Sequence, residues 1–251
     1  MSWLVDSHIH LSDPFYEKEI GLIINGMQKM QIKGCCVSVD YATSIRTLEL
    51  SKKSSLVLPF VGIHPQMANQ EIEPVLDLIN QNSNKLAGVG EIGLDKTYVN
   101  AKEDYERQEH VFRQFLSQAE KLEKPISIHS RKTLDEIYQI LPSYSLKGVL
   151  LHWFDGSKQQ LKKAMDNGFY VSYGPVMVYA KDKQVLLENT DEDKILVETD
   201  GPVRFAKCFG LKSAQISFIP SVVFCASKIL RKSYDELSKI LEKNSDVYLG
   251  I

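Results

Sequence analysis

The stretch Val5–Asp13, VDSHIHLSD, sets His8 and His10 two residues apart, directly behind the apolar run Trp3, Leu4, Val5. Alternation at period two is that of a β-strand, so both imidazoles face the same side. Paired imidazoles are poor core material and good metal ligands. Glu91 closes the apolar run LAGVGE, and Asp200 closes ILVETD. A carboxylate ending a buried apolar run needs a metal, a cation or a cage of hydrogen bonds. Together with His129 and His152 these residues make six donors, more than the three or four that one tetrahedral zinc takes. Two divalent ions sharing a bridging carboxylate would use all six and keep open positions for water and substrate. The expected division gives His8, His10 and Asp200 to one ion, His129 and His152 to the other, and Glu91 to both. Such mixed donors suit Zn²⁺, Mn²⁺, Ni²⁺ or Co²⁺, and Mg²⁺ with added waters.

Eight short apolar runs must position these side chains: Trp3–Asp6, Cys35–Val39, Val57–Gly62, Leu86–Glu91, Pro125–His129, Gly148–His152, Phe169–Tyr173 and Ile195–Asp200. Between them apolar residues recur at spacings of three and four, as in Ile20, Ile23, Ile24, Met27 and in Val111, Phe112, Phe115, Leu116, Ala119. That is the period of helices. Two more helices, roughly Ser213–Leu230 and Ser233–Tyr248, are expected after the eighth run. Eight strands alternating with helices predict an α/β fold, the (β/α)₈ TIM barrel, with reacting groups at the C-terminal ends of the strands. An open doubly wound sheet would carry a Gly-rich phosphate turn after its first strand, where SHIHLSD stands instead. The histidines agree with the barrel. His8 and His10 end the first run, His64 follows the third, His129 ends the fifth and His152 the sixth; His110 alone falls within a helix.

The chain has 251 residues, 43% hydrophobic and 25% charged, enough for one barrel, and no Pro/Gly/Ser-rich linker divides it. A single domain over residues 1–251 is expected. A net charge of −2 gives no global attraction to nucleic acid or anionic membrane. An anionic substrate must then be met by metal or by a local basic patch. Cys35, Cys36, Cys208 and Cys225 form no CxxC pair and read as reduced thiols of a cytoplasmic protein. Asp6 and His8 come too early for the apolar stretch of a signal peptide, and no run of about 20 apolar residues would span a membrane.

DSHIHL, GIHP (Gly62–Pro65), GEIGLD (Gly90–Asp95), ISIHSR (Ile126–Arg131), LHWFDGS (Leu151–Ser157) and ETDGP (Glu198–Pro202) follow one another in order. Together they resemble the TatD family of metal-dependent hydrolases, in the amidohydrolase-like TIM-barrel superfamily, from about residue 4 to residue 230. The resemblance implies a phosphodiesterase with two or three metals, typically a 3′-to-5′ exonuclease acting on DNA, so single strands or 3′ ends are the expected partner. Its ligand positions fall on the six residues reached above. In that frame Glu91 bridges the metals and Asp200 is the expected general base. His64 is expected to donate to a phosphate oxygen, and Arg131 and Arg204, each within four residues of an expected ligand, to contact the strand. Trp153 or Phe154 is expected to stack a base, with the other packing the barrel. Arg131, Lys132, Lys158, Lys181, Lys183, Arg204 and Lys207 follow strands five to eight and are expected to ring the mouth.

Three departures mark a divergent branch. HWFDG stands where the family commonly has H-C-F-S-G, Pro202-Val203-Arg204 where P-Y-L is frequent, and NSDVYLG in place of N-x-x-R-L-F. All three leave the six ligand positions intact. Two other functions compete: hydrolysis of a small amide, lactone or phosphoester on the same scaffold, and a catalytically silent metal-bound scaffold that recruits a protein partner. Some lactonase-like barrels bridge their metals with a carboxylated lysine at the fourth strand end, where this chain has Glu91. A one-metal deaminase would leave Glu91 idle, and a silent scaffold would have signalled itself by a lost ligand.

Overall fold

The computed structural model describes residues 2–251. Eight parallel strands pair in chain order. They are β1 (Leu4–Ile9), β2 (Ile32–Val37), β3 (Val57–Val61), β4 (Gly88–Asp95), β5 (Ile126–Arg131), β6 (Val149–Leu151), β7 (Tyr170–Tyr173) and β8 (Ile195–Val197). Each is followed by helical chain: α1 (Ile20–Met30), α2 (Tyr41–Lys53), α3 (Glu73–Gln81), α4 (Lys102–Lys121), α5 (Leu134–Ile140), α6 (Lys158–Asp166), α7 (Lys181–Glu188), and finally α8 (Ile219–Ile229) and α9 (Tyr234–Leu249). The seam between the last strand and the first is closed by backbone bonds from Asp200 N to His8 O and from His10 N to Gly201 O, both 2.9 Å. Asp6 adds to this seam by accepting from Thr199 N at 2.9 Å. This is the TIM barrel expected from the alternating runs.

Element limits differ from the sequence reading in ways that matter at the site. β1 runs on to Ile9, which places His8 within it, and β4 runs four residues past Glu91 to take in Asp95. β8 stops at Val197, and Asp200 sits beyond it in a left-handed conformation with φ 50°. The helix expected from Ser213 begins only at Ile219. Pro220, with no N–H and a fixed φ, is tolerated only in the first helical turn and so sets that start. Lys212–Ser213 instead pair antiparallel with Arg204–Phe205 as a short ribbon, β9 (Arg204–Phe205) and β10 (Lys212–Ser213). α9 begins where expected. Ser233 Oγ accepts from Glu236 N at 3.2 Å while Glu236 Oε2 accepts from Ser233 N at 2.8 Å, a reciprocal cap.

Inside the barrel, at the end away from the histidines, Val5, Cys35, Val37, Phe60, Leu150 and Leu196 form a core that α9 plugs with Tyr248. The Tyr248 ring lies 5.5 Å from Tyr170 and 6.2 Å from Phe60, and its hydroxyl donates to Ile126 O at 3.1 Å. This buried tyrosine falls in the NSDVYLG departure. Tyr248→Ala should lower the unfolding free energy by about 3–5 kcal/mol, the range for removing a large buried ring. Tyr248→Phe should cost about 1 kcal/mol for the lost hydrogen bond. Urea unfolding followed by circular dichroism measures both; equal, small losses would mean that α9 does not close the barrel. None of the four cysteines is in a disulfide. Among the described residues no helix is long and apolar enough to cross a membrane.

Candidate metal centre

The Glu91 carboxylate stands at the middle of the barrel mouth, with histidines on both of its oxygens. Oε2 faces His8 Nε2 at 3.4 Å and His10 Nε2 at 3.5 Å. Oε1 faces His129 Nδ1 and His152 Nε2, each at 2.8 Å. Asp200 Oδ1 approaches His10 Nε2 at 3.2 Å and His8 Nε2 at 3.7 Å. All six residues named from the sequence therefore meet, and five strands or strand ends deliver them. Glu91 is almost fully buried, and His8 is fully buried with its ring stacked 3.7 Å from that of His152.

Buried carboxylates among buried imidazoles perturb one another. Burial alone would raise the Glu91 carboxyl, but His64, His152 and His8 and the hydrogen bond from His129 hold it well below the usual carboxylate range. Burial would likewise raise Asp200, and the His10 hydrogen bond with the charges of His8 and His152 lowers it instead. His152 resists burial and is pushed well above its ordinary value, chiefly by Glu91 and with help from Glu198. His8 goes the other way, lowered by burial and by its neighbour His152. Protons here balance two anions, work a divalent cation would do.

Whether this donor set suits a cation is tested by His8. Its Nε2 is buried, makes no hydrogen bond, and faces two carboxylate oxygens. A buried polar atom without a partner costs free energy, and an imidazole nitrogen in that position is an available metal donor. Ligand atoms of His8, His10 and Glu91 lie within 4.8 Å of one another, as do those of His64, Glu91 and His129. The residues fit.

A family model described as TatD related DNase matches residues 5–250. The chain belongs to the TatD family. It is 28% identical over 244 residues to an uncharacterized metal-dependent hydrolase of Methanocaldococcus jannaschii, covering 96% of this chain and 94% of the relative. To the human deoxyribonuclease TATDN3 it is 25% identical over 213 residues, 79% of this chain and 78% of that protein. Among solved structures the TatD homolog YjjV of Escherichia coli superposes with a TM-score of 0.89 at 22% identity, over 99% of this chain and 98% of the other, a likeness of fold.

The four expected substrate contacts of this TatD-family barrel separate. His64, Arg131 and Trp153 line a cavity of about 530 Å³ that opens above Glu91, His129, His152 and Asp200. Arg204 does not line it; its side chain is exposed on the β9–β10 ribbon. The expected basic ring is also reduced. Of its seven members Arg131 alone lines the cavity, and the Nζ of Lys183 is bound to Asp155. Phe154, beside Trp153, is buried, but both lie beyond the end of β6, where the left-handed backbone of Trp153 and not strand alternation turns the two rings apart. His64 Nδ1 accepts from Gln66 N at 3.1 Å, which puts the proton of the neutral ring on Nε2. Burial, opposed by Glu91, lowers its pKa to about 4, so the ring is a neutral donor near pH 7.

Several supporting residues were not singled out from the sequence. Asp95 Oδ2 accepts from His129 Nε2 at 2.8 Å, and Ser127 Oγ lies 2.8 Å from His8 Nδ1, so each ring has its far nitrogen occupied and its near one turned to Glu91. Gly93, at φ 149°, lets β4 reach Asp95, since a Cβ there would run into the His129 carbonyl. Glu198, fully buried, accepts from Ser172 Oγ and faces His152 Nδ1 at 3.8 Å. The signal available was a second carboxylate within GEIGLD and within ETDGP. Asp6, which opens the DSHIH pattern, accepts from Thr199 N at 2.9 Å and from Thr199 Oγ1 at 2.5 Å.

Proposed function

We propose that this protein is a metal-dependent phosphodiester hydrolase that shortens DNA from the 3′ end, with a centre of two divalent ions in a single domain over residues 1–251. The observation that carries the reading is the division of histidines by Glu91: His8 and His10 face Oε2, His129 and His152 face Oε1 at 2.8 Å, and His64 Nε2 stands farther from Oε1 at 3.7 Å. His8, His10 and Asp200 would hold one ion, His129 and His152 the other, with Glu91 shared. The names of the archaeal and human relatives support metal dependence and a DNA substrate. Ions bound there would supply Lewis acidity, neutralising phosphoryl charge and acidifying water.

The chain's own residues supply the rest. Asp200 Oδ2, the oxygen not turned to the histidines, takes the proton of the attacking water. His64 Nε2–H donates to a phosphoryl oxygen, where negative charge grows in the transition state. Arg131, at the end of β5, offsets the charge of the strand. Asp95 fixes the tautomer of His129 by holding its Nε2 proton, which leaves Nδ1 free to act as a donor. Loss of such an outer partner typically costs 10–100-fold in metal affinity or activity. Asp95→Asn should therefore weaken metal binding about tenfold or more, read by competition with a fluorescent chelator; unchanged affinity would remove Asp95 from the centre.

The test is digestion of single-stranded DNA labelled at either end, after chelation and after return of Mg²⁺, Mn²⁺ or Zn²⁺. Chelation should abolish mononucleotide release, and one or more of the metals should restore shortening from the 3′ end. Two ions bound per chain with no digestion under any metal would overturn the nuclease reading. Panels of small phosphoesters, amides and lactones would then identify the bond cleaved.

A further inference from the structure

The cavity wall that meets the strand is aromatic rather than basic. Tyr98, in the turn after β4, lines it with 38% of its surface exposed, and packs edge-on against His64 at 5.9 Å. Trp153, after β6, lines it from the other side of Arg131 in barrel order. The Trp153 backbone has φ 42°, a conformation unfavourable for a bulky residue, and its N–H is held by Ser172 Oγ at 3.2 Å. Its ring rests 5.4 Å from Phe205, which leads through Phe209 at 6.3 Å to Phe218. A ring so backed is fixed before any ligand arrives, so little ordering entropy is lost on contact. Arg131 is the one lysine or arginine among the cavity's described lining residues, whereas Asp155, Glu91 and Asp200 also line it.

We propose that Tyr98 and Trp153 grip the bases of an unpaired strand end, so that stacking, not phosphate contact, holds the substrate outside the metal centre. This rests on the phosphodiesterase reading above. Every base presents a π-face, so the grip is tolerant of sequence; a paired end keeps its bases stacked on the duplex and out of reach. With about one cation per bound strand, log affinity should fall by about 0.7 per log unit of salt, far less than in a basic groove.

Two measurements test it. In the holoenzyme carrying Trp3→Phe, Trp153 is the one remaining tryptophan, and an oligothymidine with a phosphorothioate 3′ end should quench its fluorescence on binding. The same strand with abasic nucleotides at its 3′ end should not. In turnover, Tyr98→Ala and Trp153→Ala should raise KM by about 5- to 150-fold on base-bearing ends and little on abasic ends. Trp153→Phe should restore most of the KM, which a merely unfolded variant could not show. Equal quenching by both strands, alanine variants that treat both ends alike, or a salt slope steeper than about −3 would overturn the grip. Failure of the hydrolytic reading would appear separately, as absent turnover of every phosphodiester, and the quenching would still decide the stacking.

Discussion

Glu91→Gln should abolish hydrolysis, lowering kcat/KM by about 10³-fold or more, and should take metal binding with it. Glu91 is the group that faces both histidine pairs, His8 and His10 on Oε2, His129 and His152 on Oε1. An amide of the same shape keeps one acceptor and turns a donating NH₂ to the other pair, so one side of the centre loses its anionic oxygen. Lewis-acid stabilisation of a phosphoryl transition state is worth several kcal/mol, and each 1.36 kcal/mol is tenfold in rate. Metal content per chain by mass spectrometry, taken beside kcat/KM, checks the prediction. A variant that binds two ions and cuts at the wild-type rate would end the bridging role. Folding is not the expected casualty: the glutamine remains in β4, and Ser38 O still accepts from its backbone N–H at 2.9 Å.

The barrel and the six candidate ligands were legible because the same pattern encodes both. Eight apolar runs set the strands, and a strand end is where a polar residue can interrupt such a run without being buried among apolar neighbours. His10, His152 and Asp200 follow the ends of their strands, whereas His8, Glu91 and His129 lie within β1, β4 and β5 and stand out in the sequence only as polar residues closing an apolar run. What supports them is written more faintly. Asp95 lies beyond the expected end of the fourth run, and only the left-handed freedom of Gly93 carries β4 that far. Glu198 shares its motif with Asp200, and a linear pattern does not say which of two carboxylates turns to the centre. Arg204 was misplaced for a different reason. Its partner in the ribbon, Ser213, is nine residues away and carries no periodic signal, so proximity to Asp200 in sequence stood in for proximity in space. Charge likewise says nothing of direction: Lys183 follows β7 and is spent on Asp155.

Asp200→Asn separates catalysis from assembly, which Glu91→Gln does not. Asp200 occupies a left-handed conformation at φ 50°, and asparagine is among the few residues that adopt it readily. The substitution is also isosteric, so the backbone bonds from Asp200 N to His8 O and from Val203 N to Asp200 O should survive. An amide oxygen can still turn to His10 and His8, yet the group can no longer accept a proton from water. General-base catalysis contributes typically 10²–10⁴-fold, so kcat should fall within that range while KM for the strand changes little. Metal content should stay near the wild-type value, because Glu91 and both histidine pairs remain. Asp200→Ala should lose the same rate and some stability as well, since alanine has no side-chain oxygen and disfavours a positive φ. Rates measured in single turnover, with metals per chain on the same samples, distinguish the two roles. If the asparagine variant matches the wild type, the proton leaves by another group and Asp200 serves only to hold a metal; if metal is lost together with rate, its part in assembly is the larger one.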